Sequence, residues 1–235
     1  DMGLANVDVL FGLQPRHNLA DVFRGERGLA EIIVNGPAGV KVVPGACGIS
    51  EMANLTPAHH TGLIGAFSEL TDDLDTLIVD TAAGISDGVL RFAEAAHETL
   101  MVVCDEPTSI TNAYAIIKLL SAERGVGRFR IVTNMSRQRG GGKATFEKLS
   151  RATDRFLDVT LDHAGSIPYD DRVWRAIQLQ TPVIKAFPAS HAAGALQKLA
   201  RRVEQWDVQR TARGNIEFFV ERFLKRAPHQ ECSTA

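Results

Sequence analysis

Apolar residues fall along this chain in two rhythms. Short runs without polar alternation occur at 74–79, 100–104, 129–133 and 165–167. Such runs read as strands buried on both faces. Between and before them, apolar positions recur every three or four residues at 56–70, 87–96, 109–121 and 144–156. That spacing predicts helices with one apolar side. In the first of these, Leu63, Ile64, Phe67 and Leu70 share a face, with Thr56 as cap and Pro57 at the first helical position. The earlier part is less regular. Residues 1–6 read as a loop, 7–11 as a short apolar segment, and Asn18 as the cap of a helix beginning near Leu19. Gly36-Pro37-Ala38-Gly39 breaks the chain before a short strand at 40–43, which Pro44-Gly45 stops. Strands alternating with helices predict an α/β fold: a doubly wound, mostly parallel sheet covered on both faces.

The C-terminal end changes character. A helix continues through 197–206, Gly214 interrupts, and 215–226 is amphipathic. Ile216, Phe219, Val220, Phe223 and Leu224 form its apolar stripe, beside Arg222, Lys225 and Arg226 and the acidic Glu217 and Glu221. Packing on the domain, reversible membrane binding and partner docking all suit such a stripe. The expected organisation is one domain over 1–206 and an extension over 207–235.

Composition narrows the class. A chain of 235 residues with 45% hydrophobic content can build one large core. With 26 basic and 28 acidic residues the net charge is -2, so nothing global points to nucleic acid. The three cysteines, Cys47, Cys104 and Cys232, are far apart and lack metal-type spacing, which fits a reduced, cytoplasmic compartment. No run reaches the roughly 18 to 20 apolar residues of a membrane span, and the start shows no signal-peptide pattern. The chain opens inside an apolar pattern, as a fragment does. His59, His60 and His163 lack ligand spacing, so core or surface roles are expected. Trp174 and Trp206 read as packing residues, and Arg137 and Arg139 as a solvated basic loop.

The candidate chemistry begins at Asp80, which ends the run at 74–79 and precedes Thr81-Ala82-Ala83-Gly84. Ligands of doubly wound sheets bind at the carboxyl ends of strands, where a carboxylate can face a phosphate-bound Mg²⁺. A turn-capping aspartate is the plain alternative. A metal-facing role needs a phosphate cradle nearby, a glycine-rich loop with a lysine and a hydroxyl. Gly140-Gly141-Gly142-Lys143-Ala144-Thr145 fails that pattern: Arg137 stands at the first glycine and Ala144 at the hydroxyl position. No other stretch comes closer.

Several stretches, in order, carry a family resemblance: Asp1-Met2-Gly3-Leu4-Ala5-Asn6, Val79-Asp80-Thr81-Ala82-Ala83-Gly84, Glu106-Pro107-Thr108-Ser109, Thr133-Asn134-Met135 and Ile167-Pro168-Tyr169-Asp170. Together they resemble the MinD/ParA-type ATPases, and within these the flagellar-number regulators FlhG/FleN. The resemblance spans essentially the whole chain. It implies an ATP-driven switch using ATP and Mg²⁺, dimeric when ATP-bound. It implies that Asp1 helps position the attacking water and that Asn6 lies near the dimer interface. It implies that Asp80 reaches Mg²⁺ through water. Glu106 would reach nucleotide across the dimer, though Asp105 replaces the usual preceding proline. Asn134, with Met135 beside it, would read the adenine edge, and Pro168 and Asp170 would flank it. The family's phosphate loop and first, central strand would lie upstream of Asp1. Without them the chain is expected to bind ATP weakly or not at all and to be poorly stable. Implied partners are an FlhF-like GTPase and a flagellar master transcription regulator. The implied location is the cytoplasm, with peripheral contact at the inner face of the membrane. A nucleotide-free interaction module and a ParA-like DNA partitioning protein remain alternatives.

Overall fold

The computed structural model describes residues 5–49, 52, 55–70, 74–207 and 217–219. Its order is α1 (Val7–Leu10), α2 (Leu19–Phe23), a 3₁₀ turn (Leu29–Ile32), β1 (Val34–Asn35), β2 (Lys41–Val42), α3 (Pro57–Glu69) and α4 (Asp87–Ala95). Then follow β3 (Leu100–Cys104), α5 (Pro107–Arg124), β4 (Arg128–Ser136), α6 (Gly141–Phe156) and β5 (Thr160–Pro168). The short α7 (Asp171–Gln178) and α8 (Val183–Ala186) lead to α9 (His191–Val203).

Local chemistry sets the helix starts. Asn18 closes a capping box on α2, its side chain taking the Ala20 N–H at 2.8 Å while Asp21 takes the Asn18 N–H at 2.9 Å. Thr56 and Pro57 begin α3, and Pro107 occupies the first turn of α5. Gly125, at φ 68°, ends α5 in the left-handed region that glycine enters without steric cost.

β3, β4 and β5 form a parallel sheet in that order. Their registers align Cys104 with Asn134 and Ser136 with Pro168, so all three carboxyl ends meet at one edge. Two irregularities interrupt the β4–β5 ladder. Ala164 is an extra residue on β5, and the Asn134–Met135 pair is set against a single residue of β5. Met135 adopts φ 56° there, so the bulge turns β4 outward at its end.

Two apolar cores support the fold. One lies between the sheet and α5 and α6, where Val103, Ile117, Leu120, Phe129, Ile131 and Leu149 are fully buried. The other joins Leu19, Ile32, Leu63, Ile64, Phe67 and Phe92. Phe218, from the C-terminal segment, is also in it at 3% exposure. Its ring meets Phe67 edge-on at 5.8 Å and stacks on Phe92 at 6.2 Å. Its N–H donates to Ala95 O at 3.1 Å, and the Phe219 N–H to Ser68 Oγ at 3.1 Å. Of the expected stripe, Phe219 is half-buried against this core. Ile216, Val220, Phe223 and Leu224 lie outside the described residues, as does Asp1.

Several expectations need correction. Residues 74–79 form no strand. Leu77 and Val79 turn into the second core while Ile78 is 85% exposed, and no described backbone lies alongside to complete a ladder. Leu100 and Val102 are likewise open on one face of β3, because no described element covers them. The glycine run ahead of the helix expected over 144–156 is part of that helix, α6, and β5 spans Thr160–Pro168, beginning well before the expected 165–167. Trp174 is 65% exposed, so it packs little. Arg137 is not merely solvated: its guanidinium lies 4.2 Å from the centroid of the Tyr169 ring.

Gly142 shows how tightly α6 sits on the sheet. A Cβ there would overlap Ser166 Oγ and lie 2.5 Å from Thr133 Oγ1. Gly142→Ala should therefore lower the unfolding free energy by about 1 to 3 kcal/mol, the usual cost of overpacking. Urea unfolding of the variant checks this, and an unchanged midpoint would contradict the close approach.

Candidate functional site

The carboxyl edge of the sheet gathers the predicted residues of the second half of the chain. Glu106 follows β3 as the N-cap of α5, exposed, with its N–H bonded to Cys104 O at 2.8 Å. Asn134 sits one strand away in the β4 bulge, half-buried, its Oδ1 accepting the Met135 N–H at 2.9 Å. That bond leaves the amide nitrogen as the group available to an acceptor, as a purine ring nitrogen would be. Met135 is exposed beside it. Pro168 ends β5 opposite Ser136, and the Tyr169 N–H returns to Ser136 O at 3.0 Å.

Asp170 has a structural duty that its spacing did not reveal. One carboxylate oxygen takes the Arg172 N–H at 3.0 Å and caps α7, while the other takes the Ala192 N–H at 3.2 Å at the start of α9. These backbone bonds hold its carboxyl below the usual carboxylate range. Both oxygens are engaged, so the residue shapes the loop beside the edge.

The first half of the chain is less firmly gathered. Asn6 is exposed and precedes α1 without capping it through its side chain. α1 is nonetheless tied to the same side of the molecule: Gln180 Nε2 donates to Val9 O at 2.7 Å, and Gln180 packs against Gly12. Asp80 is exposed, in irregular backbone after Val79. No group of three or more His, Cys, Asp or Glu side chains among the described residues is placed to hold a metal ion. The glycine run is no phosphate cradle either. Its backbone is wound into α6, Gly142 is pressed on Ser166, and Lys143 reaches Glu147 at 3.7 Å one turn on. Among the described residues, the edge thus offers the Asn134 amide as a donor, and the glycine run offers no cradle for a phosphate.

One feature behind this edge escaped the sequence reading. Thr133 Oγ1 donates to Ser166 Oγ at 2.8 Å, and His163 Nε2 lies 3.2 Å from the same oxygen. The His163 ring stacks on Phe146 at 4.9 Å. Three polar residues on two apolar strands were the available signal. Burial is the chief cause holding His163 below its ordinary value, with Arg202 and Lys143 adding to it and a Gly165 backbone bond opposing. Burial likewise lowers His60, against the opposing bond to Thr56 O.

A consequence for stability follows. Both imidazoles hold a proton less readily in the fold than in the unfolded chain, so the unfolded chain binds more protons once the pH drops toward about 6.5 and below. Their contribution is fully present above that value and is lost as the pH falls toward the lowered folded-state values. Urea midpoints should fall between about pH 7 and pH 5, and less steeply in His60→Gln and His163→Gln. Identical profiles in all three proteins would refute this.

Comparison with known proteins bears on the family. No family model matches the chain. It is 52% identical to the antiactivator FleN of Pseudomonas aeruginosa over 225 residues, 96% of this chain and 80% of that protein. It is 28% identical to the flagellum site-determining protein YlxH of Helicobacter pylori over 201 residues, 85% of this chain and 68% of that one. Among solved structures, it superposes on the cell division ATPase MinD of Pyrococcus furiosus with a TM-score of 0.70 at 22% identity, over 87% of this chain and 83% of that one. A second MinD, from Pyrococcus horikoshii and complexed with Mg-ADP, gives 0.69 at 21% identity, over 87% and 81%. These structural likenesses agree with the α/β fold, and with identity this high over nearly its whole length the chain belongs to the FleN family of MinD/ParA-type ATPases.

Proposed function

We propose that this chain is part of an ATP-dependent dimerising switch that regulates the number and placement of flagella. The observation that carries the reading is the 52% identity to the antiactivator FleN across 96% of the chain. The sheet edge supports it, because Glu106, Asn134 and Pro168 lie at or just beyond the carboxyl ends of neighbouring parallel strands. In this reading Asn134, with Met135, reads the base, Pro168 and Asp170 form the loop beside it, and Glu106 reaches nucleotide across the dimer. Asn6 lies near the dimer interface, Asp1 helps place the attacking water, and Asp80 faces Mg²⁺ through water. The bound nucleotide and metal supply the phosphoryl chemistry; the named residues orient and hold charge. The division at 206/207 and the partners FlhF and a flagellar transcription regulator belong to the same proposal. So does peripheral membrane contact, for which Phe218 and Phe219 would have to leave their seat in the core. No helix among the described residues is long and apolar enough to cross a membrane.

The test uses cells carrying the gene, compared with Asp80→Ala and Asn134→Ala. Flagellar counts should rise in both variants, as expected when an antiactivator fails. ATP-dependent dimers should be lost in sedimentation. Normal counts in both would overturn the reading. The 235 residues by themselves contain no intact phosphate-loop motif, so calorimetry with ATP and Mg²⁺ should show no micromolar binding.

A further inference from the structure

A cleft of about 590 Å³ runs along the side of the sheet away from β3, between β5 and α9. None of its lining residues is acidic. β5 is the last strand there: it pairs with β4 on one side, and among the described residues no strand pairs with the other. α9 runs past it in the opposite direction, since Ala192 is held near the carboxyl end of β5 through Asp170 while Arg202 reaches back to Ala164.

The wall and the floor differ in character. The α9 positions facing the cleft include Gly194, Ala195, Lys198 and Arg202, which fall on one helical face. Glycine and alanine keep the wall low, so the cleft does not close. Gly165 on β5 has no side chain to fill it from the other side, and Ser166 is exposed at its rim. Lys198 is exposed and makes no hydrogen bond or ion pair among the described residues. Arg202 spends one guanidinium nitrogen on Ala164 O at 2.8 Å, and this carbonyl belongs to the extra residue of the β5 bulge.

We propose that this cleft is a docking groove for an acidic peptide segment in extended conformation, which adds as a strand to the free edge of β5. Strand addition needs an unpaired edge and a groove beside it; among the described residues no strand pairs with that edge, and the cleft lies along it. Charge selects the partner: two cations line the wall with no carboxylate among the lining residues. Spacing selects its conformation. Lys198 and Arg202 are one helical turn apart, about 5 to 6 Å. Side chains on one face of an extended peptide repeat every ~6.6 Å, twice the rise per residue. Acidic side chains at alternate positions of an extended peptide therefore meet the two cations in turn. A helical peptide offers the edge of β5 no backbone hydrogen bonds. The proposal does not depend on nucleotide and stands or falls separately from the switch reading.

The test is amide chemical-shift mapping on the full chain. The probe is an acetylated, amidated peptide of alternating glutamate and valine. Shifts should concentrate at residues 163–167 and along 191–202. Lys198→Glu should weaken binding at least about tenfold, and Lys198→Met by less, since reversal adds repulsion to lost attraction. Both changes lie on an exposed helical position, where the fold tolerates them. The same peptide with N-methylated backbone should not bind, because it cannot complete a ladder. The proposal fails if millimolar peptide moves no resonance in the cleft, or if Lys198→Glu leaves affinity unchanged. It also fails if the N-methylated peptide, or free glutamate, binds as well as the probe.

Discussion

Arg130→Met is expected to lower the unfolding free energy by about 3 to 5 kcal/mol, the range for removing one partner of a buried charge pair. Arg130 is 7% exposed at the start of β4. Its guanidinium grips Glu98 through two bonds of 3.0 and 3.1 Å and Asp162 through one of 2.8 Å. It also lies 4.9 Å from the centroid of the Trp206 ring. Methionine fills much of the space but leaves the half-buried Glu98 carboxylate without a cation. Asp162 is more open and also bonded to Arg128, so its share is small. Urea unfolding of Arg130→Met, Glu98→Gln and the double variant resolves the coupling. The double variant should recover most of the loss. If it is as unstable as the sum of the two single variants, the ion pair is not the cause.

Phe218→Ala is the second large effect. Truncating a buried phenylalanine costs about 3 to 5 kcal/mol. Here it also strips Phe67 and Phe92 of an aromatic neighbour. Phe219→Ala, at a half-buried site, should cost distinctly less. Denaturation of both variants checks the order. A Phe218→Ala protein as stable as the parent would mean that the C-terminal segment contributes nothing to this core.

The regular half of the fold could be read from the sequence because its signals are local. The apolar runs at 100–104 and 129–133, the second interrupted by Arg130, became β3 and the centre of β4, and the caps at Asn18 and Thr56 start helices where expected. What could not be read depends on distant neighbours. The run at 74–79 has strand composition, yet a strand exists only where another backbone pairs with it. Gly140 to Lys143 falls outside the helix expected over 144–156 because glycine disfavours helices, and tertiary contact with Thr133 and Ser166 overrides that preference at Gly142. The site divides similarly. Asn134 and Pro168 could be placed by motif and fall at one sheet edge. The double capping by Asp170 and the Arg137–Tyr169 stack join segments whose proximity no spacing announces.

The seat of Phe218 has a consequence for the order of folding. The sheet with α5 and α6 grows from neighbours in sequence, each strand pairing with the next. The Phe219–Ser68 bond instead joins residues 151 positions apart. Contacts so distant require a large loop to close before they stabilise anything. A ribosome releases the chain from its N-terminal end, so the core around Phe67 and Phe92 must wait for residues made long after its own. Until then it exposes an aromatic cavity to solvent and to other nascent chains. Refolding should accordingly show the amides of α3 and α4 gaining protection from exchange after those of β4 and α5, with a lag that Phe218→Ala abolishes.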